Sequence, residues 1–379
     1  MRLLLVGVPG WNRGDDAIAH AMTRLLREAA PDATIVSCVQ RRGVMHGSGA
    51  RELLARRGAP LAHLRLLFEI ARSDLVIIGG GSIIQDRYGA GWVRGIMGLY
   101  VEVALLARLF RRPMITAPIG IDPLGTATGR RVARFILSSC NSVFVRDEAS
   151  AGIAMRLGLL RPYTRPLVAT DPALAYAEGR PAANVDAATL VICPALESDT
   201  PARLITMFAA LISDQLDDDP TLRCRILAME EREHEDAGRA GLIVAALDPA
   251  LRTRVTIERP AHVDEAFAIL ASARAVVTMR LHPMILVSHL VPVFALNRGA
   301  KMKAFARDLK LQSLPLDDTD PDRIPALVRG FLAAMDDPEA RRGHLADIRA
   351  ARGQRLQLLG ALVECTGYRP AGITPLTQS

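Results

Sequence analysis

The stretch ARAVVTMRLHPMILVSHLVPVFAL, residues 273–296, predicts a buried strand, a helix and a second strand in succession. Apolar residues run almost unbroken through it, yet Arg280 and His282 interrupt the run after the first strand. Pro283 fits the first turn of a helix that we predict to run through His289. If Arg280 and His282 are still extended, both side chains point to one face, where His282 adds a titratable proton. Burying an unpaired arginine is costly, so we expect Arg280 to bind an anion.

The alternation of strands and helices continues outward from this segment. We predict earlier strands at RLLLVGV, TIVSCV, LVIIGGG, PMITAPIG and SVFVRD, with helical patterns between them, and a second series that begins at TLVICPAL. Such alternation is typical of parallel sheets covered by helices on both faces. We therefore predict an α/β protein with two doubly wound, Rossmann-like domains facing a cleft, an arrangement that resembles the GT-B architecture. Ligands should bind beyond the carboxyl ends of the strands.

The chain of 379 residues is too long for one ordinary core and fits two domains. We place an N-terminal domain at 1–176 and a linker at 177–188, where the sequence AEGRPAANVDAA is rich in proline and alanine. The C-terminal domain is predicted at 189–365 and includes a last helical pattern at 338–363. Residues 366–379 form the predicted tail.

The formal net charge of +7 favours anionic ligands. Arginines spread along the chain supply most of this charge, and no RNA-binding signature or lysine-rich tail accompanies them. We therefore expect an anionic small molecule or anionic lipid as a partner, and no nucleic acid.

The five cysteines are scattered without CxxC spacing, which predicts neither a disulfide framework nor a zinc site. The start MRLLLVGVPG is too short for a signal peptide and suits a first strand. The longest apolar stretch, 95–110, contains Glu102 and is too short for a membrane span. We expect a cytoplasmic protein that works at the inner face of the membrane, with no metal site.

The turn GVPGWNRGDDAIAHAM lies between the first predicted strand and helix. Gly14 would let backbone N–H groups approach an anion or a sugar, with Asn12 and Asp15 beside it. The alternative is a tight turn capped by Asp15 or Asp16.

Three glycines, Gly79, Gly80 and Gly81, end the strand of DLVIIGGGSIIQD. This exceeds what a turn requires, so we expect the backbone to approach a ligand or the first loop closely. Asp86 could bind a substrate hydroxyl or cap a helix.

Two further cations follow predicted strands. Arg146 ends the strand of SVFVRD, which favours anion binding there, and its alternative partner is the neighbouring Asp147. Lys301 and Lys303 follow the last predicted strand, in ALNRGAKMKAF, and we interpret Lys303 as ordinary surface charge.

These motifs together resemble the polysaccharide pyruvyl transferase family. The resemblance depends on GWNRGDDA, DLVIIGGG, VFVRDEAS, TDPAL and MRLHPMILVSHLVPVFALNRGAKMKAF, which occur in the family's order over residues 3–305. Arg298 stands where members commonly carry tyrosine. The resemblance implies a GT-B-like fold, phosphoenolpyruvate as donor without a separate cofactor, and a sugar acceptor in a surface glycan or its lipid-linked precursor. The product would be a pyruvate ketal.

The chemistry assigns roles to the candidate residues. Adding a sugar hydroxyl to the enol carbon of phosphoenolpyruvate requires protonation of its methylene carbon, for which His282 is the best candidate. Arg146 and Arg280 would hold the phosphate and the carboxylate, because guanidinium forks match both groups. Lys301 and the two glycine-containing turns would complete the donor and substrate site.

Two other functions fit the same fold prediction. A GT-B glycosyltransferase would consume a nucleotide-sugar, although the second half lacks the E-x7-E spacing common in retaining members. A non-catalytic protein that binds a glycan or an anion would show no turnover with any donor.

Overall fold

Every pair of strands that the structure describes is parallel, as predicted. The computed structural model describes residues 1–7, 9–55, 60–86, 89, 91–93, 95–158, 165–180, 184–197, 200–232, 236–360, 362 and 364. The first half contains β1 (Arg2–Val6), α1 (Arg13–Ala29), β2 (Thr34–Val39), β3 (Arg51–Leu54), α2 (Pro60–Arg72), β4 (Leu75–Ile78), β5 (Gly81–Ile84), α3 (Gly95–Leu109), β6 (Met114–Thr116), β7 (Ile119–Ile121), α4 (Ala127–Ser138), β8 (Phe144–Val145), α5 (Glu148–Arg156), β9 (Leu167–Val168) and α6 (Ala173–Tyr176).

The second half repeats the alternation of strand and helix. It contains β10 (Asp186–Cys193), α7 (Ala202–Asp218), β11 (Arg223–Leu227), α8 (Asp236–Ala245), α9 (Pro249–Arg252), β12 (Val255–Glu258), α10 (Val263–Ala271), β13 (Ala273–Thr278), α11 (Leu281–Val287), β14 (Val293–Asn297), α12 (Ala300–Asp308), β15 (Gln312–Pro315), a 3-10 helix (Pro321–Arg323), α13 (Ile324–Asp336) and α14 (Pro338–Gln357).

The strands form three sheets. A five-stranded sheet has the order β3-β2-β1-β4-β6, and a four-stranded sheet has the order β5-β7-β8-β9. The second half forms one six-stranded sheet of order β12-β11-β10-β13-β14-β15. The crossovers on either side of β1 and β10 are those of doubly wound folds, which confirms the predicted α/β class.

The first half differs from the prediction because two predicted strands are each divided. PMITAPIG forms β6 and β7 in different sheets, and Pro118 between them cannot donate a ladder hydrogen bond. LVIIGGG supplies β4 and the start of β5, since Gly79 and Gly80 have φ angles of 96° and 97° that interrupt the strand. The chain therefore passes from one sheet to the next at the end of both strands.

Apolar packing joins the two halves. Two buried clusters belong to one half each, but a third combines side chains of α1 and α6 with those of α10 and α11. Helix α14 also bridges, because Arg352 donates to the carbonyls of Leu174 and of Ile285. The domain boundaries near 176 and 189 stay a prediction.

Helix α14 ends at Gln357, and helical backbone recurs at the described residues 360, 362 and 364, so the predicted helical pattern of 338–363 is interrupted after residue 357. The predicted tail, 366–379, lies outside the described residues, as does part of the predicted linker. None of the described helices combines the length and apolarity that crossing a bilayer requires.

Candidate active site in the cleft

A cavity of about 700 Å³ separates the two halves at the carboxyl ends of the strands. Seven of the predicted site residues line it: Asn12, Asp15, Gly80, Arg146, Arg280, His282 and Lys301. Three further predicted site residues do not line the cavity: Gly14, Gly79 and Gly81. The cleft therefore brings together cations, a histidine and a carboxyl group from both halves.

Arg280 caps the N terminus of α11 at the end of β13, in extended conformation. Its guanidinium forms an ion pair with Asp236, with Nε 2.5 Å from Oδ2, and Nη2 donates to Oδ1 at 2.5 Å. Burial disfavours the charge of Arg280, but Asp236 outweighs this effect and raises the arginine pKa. The negative charge that we expected beside Arg280 is thus supplied in part by Asp236 of the same chain.

Arg146 follows β8 and is almost fully buried. Its Nη1 donates to Asp171 Oδ2 at 2.9 Å and its Nη2 donates to Ser82 Oγ at 2.8 Å. The alternative partner, Asp147, lies 3.6 Å from Nε, and it also caps α5 by accepting from Ser150 N. Two carboxylates and a hydroxyl therefore hold the guanidinium at the cleft.

His282 lies in the first turn of α11, which corrects two predictions. The backbone is helical from Leu281 onward, so Arg280 and His282 are not successive members of one strand face, and the helix ends at Val287 instead of His289. The reason is that Arg280 already occupies the cap position, which starts the helix two residues before Pro283.

The imidazole of His282 has a ring nitrogen that is free to exchange a proton. Its Nε2 is buried without a hydrogen-bond partner among the described residues and lies 4.0 Å from Asp171 Oδ2. Burial lowers the pKa of His282 to about 4, although Asp171 opposes the shift. The ring is therefore neutral at pH 7 and can accept a proton when negative charge approaches.

Gly14 makes room for this imidazole across the cleft. A Cβ atom on Gly14 would lie 2.0 Å from His282 Nδ1, which no side chain could tolerate. Gly14 thus allows close contact between the halves, and its predicted approach to a ligand stays a prediction. Asn12 caps α1 by accepting from Gly14 N at 2.8 Å, so the cap is neither Asp15 nor Asp16.

Asp15 and Asp16 have different surroundings. Asp16 is paired with Arg13 and accepts from Gly10 N at 2.7 Å, so it stabilises the turn. Asp15 lines the cavity, and burial together with the charges of Asp16 and Glu230 raises its pKa to about 8. Asp15 is therefore a protonated carboxylic acid at pH 7 and a second group that can donate a proton.

The glycine triplet serves mainly to pack the first half. Cβ atoms on Gly79 and Gly80 would lie 2.4 Å from Ile119 Cγ2 and 2.3 Å from Ile18 Cγ2. One on Gly81 would lie 2.9 Å from Asp15 Oδ1. The expected approach to the first loop is present, and only Gly80 of the three lines the cavity.

Lys301 comes from α12 and contacts the first half. Its Nζ donates to Ser82 Oγ at 2.9 Å and forms an ion pair with Asp122. Burial, with Arg146 nearby, lowers its pKa. Lys303 is exposed. Ser82 thus joins Arg146 and Lys301 in one network.

Four residues of this network escaped prediction: Ser82, Asp122, Asp171 and Asp236. Asp171 lies in TDPAL, which contributes to the family resemblance but predicts no role for the residue, and Asp236 has no local sequence signal. Asp86, by contrast, accepts from Thr126 N at 2.8 Å, and Thr126 itself caps α4 by accepting from Gly129 N. Asp86 thus supports the start of that helix, and its binding of a substrate hydroxyl stays a prediction. Among the described residues, no group of three or more His, Cys, Asp or Glu is placed to hold a metal ion.

A scan against protein-family models matches residues 12–298 to the polysaccharide pyruvyl transferase model. The chain belongs to the polysaccharide pyruvyl transferase family. The match includes every predicted site residue except Lys301, which follows its end by three residues. No curated protein matches this pyruvyl transferase family member.

Solved structures share the fold of this family member. The UDP-GlcNAc 2-epimerase from Neisseria meningitidis bound to UDP-GlcNAc has a TM-score of 0.63 and 13% identity, over 96% of this chain and 99% of that one. E. coli ADP-heptose LPS heptosyltransferase II has a TM-score of 0.52 and 15% identity, over 89% and 100%. A glycosyltransferase from Rickettsia africae gives 0.57 and 10%, over 96% and 97%. The pyruvyl transferase family member therefore has a GT-B fold.

Proposed function

We propose that this protein transfers the pyruvyl group of phosphoenolpyruvate to a sugar of a cell-surface polysaccharide or its precursor, forming a pyruvate ketal and releasing phosphate. The observation that carries the proposal is the convergence of Arg146, Arg280 and Lys301 around His282 in the cleft of a pyruvyl transferase family member. Three cations suit a donor that carries both a phosphate and a carboxylate. One proton carrier suits its enol.

The arginines would bind the donor while they keep their internal carboxylate partners. Arg146 and Arg280 are each paired with a buried carboxylate, Asp171 and Asp236, which keeps both guanidinium groups oriented. The N–H groups that face the cavity can then donate to phosphate or carboxylate oxygens, while the internal pairs fix the geometry. Lys301, which shares Ser82 with Arg146, would add a point charge.

Protonation of His282 would depend on the negative charge of the bound donor. A sugar hydroxyl adds to the enol carbon and loses its proton as the methylene carbon takes one from His282. The carbon–oxygen bond to phosphate then breaks, and a second hydroxyl closes the ketal and loses its proton. Of the two hydroxyl protons, one restores the imidazolium and the other leaves with the phosphate. Negative charge beside His282 raises its pKa toward neutrality, which prepares the imidazolium for this transfer. The reaction is redox-neutral, so we propose no electron-carrying cofactor.

The test is phosphate release from phosphoenolpyruvate in the presence of lipid-linked and nucleotide-linked sugars. We expect release that depends on both donor and acceptor, with a ketal product of the acceptor mass plus one pyruvyl group. Consumption of a nucleotide-sugar without phosphoenolpyruvate would instead identify a glycosyltransferase. Binding without turnover of any donor would identify a glycan-binding protein.

Arg280→Lys tests the donor site more narrowly. The lysine keeps the charge but loses the fork, so we expect a large loss of activity with folding preserved, checked by circular dichroism and by titration with phosphoenolpyruvate. Arg223→Lys, an exposed position on β11, is the matched control. Unchanged donor affinity and turnover in Arg280→Lys and in Arg146→Ala would remove both arginines from the site.

A further inference from the structure

The first half exposes an unusual concentration of apolar side chains on α2, on α3 and just before α3. Val93 is 89% exposed, Leu109 70% and Leu61 66%. We call this surface the α2–α3 face and define it by seven exposed residues: Leu61, Leu64, Phe68, Trp92, Val93, Leu105 and Leu109. Soluble surfaces rarely keep so many large apolar groups together without a partner.

A groove of about 480 Å³ lies within the α2–α3 face, against α3. Gly98, Val101 and Leu105 line it along one side of the helix, and Trp92 and Val93 close one end. Its polar lining residues, His63 and Glu102, pair with each other through contacts of 2.9 Å. The groove is therefore suited to hydrocarbon.

Basic side chains accompany the apolar ones. Arg65 and Arg72 fall on the same 100° arc of α2 as Leu61, Leu64 and Phe68.

The C-terminal end of α3 adds further positive charge. Arg108 and Arg111 are exposed there, beside Leu109. The two carboxylates of these helices are already engaged, since Glu69 is buried with Arg2 and Arg51 and Glu102 pairs with His63. The exposed charge of the α2–α3 face is thus positive.

We propose that the α2–α3 face docks on a bilayer that contains anionic phospholipid. Phe68, Trp92 and Val93 would enter the interfacial region, and the arginines would contact the headgroups. This mode is distinct from general adsorption by net charge, because burial of apolar area continues when salt screens the arginines.

A second copy of the chain fits the α2–α3 face less well. A two-fold dimer would place the same surface on both partners, so the arginines of one copy would face those of the other. A lipid surface offers the opposite charge together with hydrocarbon. The charge pattern therefore selects the bilayer as the occupant.

The α2–α3 face is adjacent to the cleft. Ile96 and Leu99 line the cleft, and Gly98 and Leu99 line the groove. Leu99 is common to both, so the two cavities meet at the same turn of α3. A sugar attached to a membrane lipid would enter the cleft from this side. That last step rests on the proposed function, whereas docking itself does not.

The test uses fluorescence of Trp92. The chain has two tryptophans, so Trp11→Phe leaves Trp92 as the reporter. We expect its emission to shift to the blue with vesicles of phosphatidylglycerol and phosphatidylcholine, and part of the binding to persist at roughly 1 M salt, where the Debye length is about 3 Å. Leu64→Ser with Phe68→Ser should weaken vesicle sedimentation at least about ten-fold. Leu242→Ser with Leu327→Ser, which removes exposed leucines elsewhere, should not.

Each result has a defined meaning. Unchanged Trp92 emission, or equal vesicle binding by the Leu64/Phe68 variant, overturns docking. A dimer in sedimentation velocity that the same variant dissociates shows that a second copy covers the face, which also overturns it. Phosphate release with a water-soluble acceptor should be the same in wild type and variant. Vesicle binding without any phosphate release would leave docking standing and remove the proposed function.

Discussion

His282 depends for its protonation on groups contributed by both halves. Its ring sits above Gly14, faces Asp171 and lies near two arginines, so desolvation and like charge act together against its imidazolium form. Asp171 alone opposes them, and Arg146 already shares that carboxylate. A ligand that occupies the arginines would therefore shift the balance toward protonation.

We expect His282→Gln to fold normally and to keep phosphoenolpyruvate affinity, because both arginines remain. Turnover should fall by about 100-fold or more, the usual effect of losing a positioned general acid. Melting temperature, donor affinity and phosphate release are measured on one preparation. Wild-type release would remove the catalytic assignment, whereas lower stability with proportional loss of binding would indicate a structural histidine.

The lowered pKa of His282 also predicts a pH effect on stability. Its folded-state pKa, about 4, lies below the unfolded value of about 6.5, so the unfolded state binds more protons between these values. The stabilisation that the neutral ring gives the folded state is fully present above pH 6.5 and is lost as pH falls toward 4. The free energy of unfolding should fall by about 3 kcal/mol over this range. Urea unfolding of wild type and His282→Gln across this range should show a shallower pH dependence in the variant. Parallel curves would contradict the shift.

Sequence patterns identified the charged residues of the site more readily than their partners. Arg280, His282 and Arg146 follow buried strands, where an ionisable residue stands out against apolar neighbours. Asp171 and Asp236 lie 25 and 44 residues from the arginines they pair with, and no periodicity links such distant positions. Partner identity follows from tertiary packing and therefore required the structure.

At the scale of elements, α1 and α11 meet where the imidazole of His282 packs against Gly14. Gly14→Ala would place a methyl group 2.0 Å from Nδ1, so we expect His282 to be displaced and turnover to fall with little loss of donor affinity. Kinetic measurement of kcat and KM checks this. Gly241→Ala on α8, with open space around it, is the control and should be neutral or stabilising by about 0.5–1 kcal/mol. Equal activity in both variants would exclude the steric role.

Elements with a long apolar pattern were predicted closely, and short ones were not. Strand β2 was placed at its actual bounds, because TIVSCV is buried on both faces. The short edge strands β3 and β15 have mixed burial, which leaves little pattern to recognise. The division of PMITAPIG into β6 and β7 depends on which sheet each part joins, and an apolar run carries no such information.

At the scale of the whole molecule, Glu231 binds the halves together at the rim of the cleft. Its carboxylate accepts from Arg13 and Arg41 of the first half, and Glu231 N donates to Trp11 O at 3.0 Å. The buried cluster shared by the halves lies behind this polar contact. We therefore expect the two halves to unfold in one transition.

Glu231→Gln should lower the free energy of unfolding by about 1–2 kcal/mol, because Arg13 loses one charged partner but keeps Asp16. Urea unfolding followed by tryptophan fluorescence and by circular dichroism should still give coincident curves. Glu28→Gln removes an exposed pair with Arg24 and should change stability by less than about 0.5 kcal/mol. Separate transitions for the two signals would show that the halves unfold independently.

The contact between Gly14 and His282 joins residues from the beginning and the later part of the chain, so the site cannot be complete early in synthesis. Arg146 and Asp171 leave the ribosome together with the first half, because synthesis proceeds from the N terminus. The imidazole arrives more than a hundred residues later, followed by Lys301. A nascent chain would thus carry Arg146 and its carboxylate partner well before it acquires the group we assign to proton transfer, and translation itself would delay the proposed chemistry until the second half has folded.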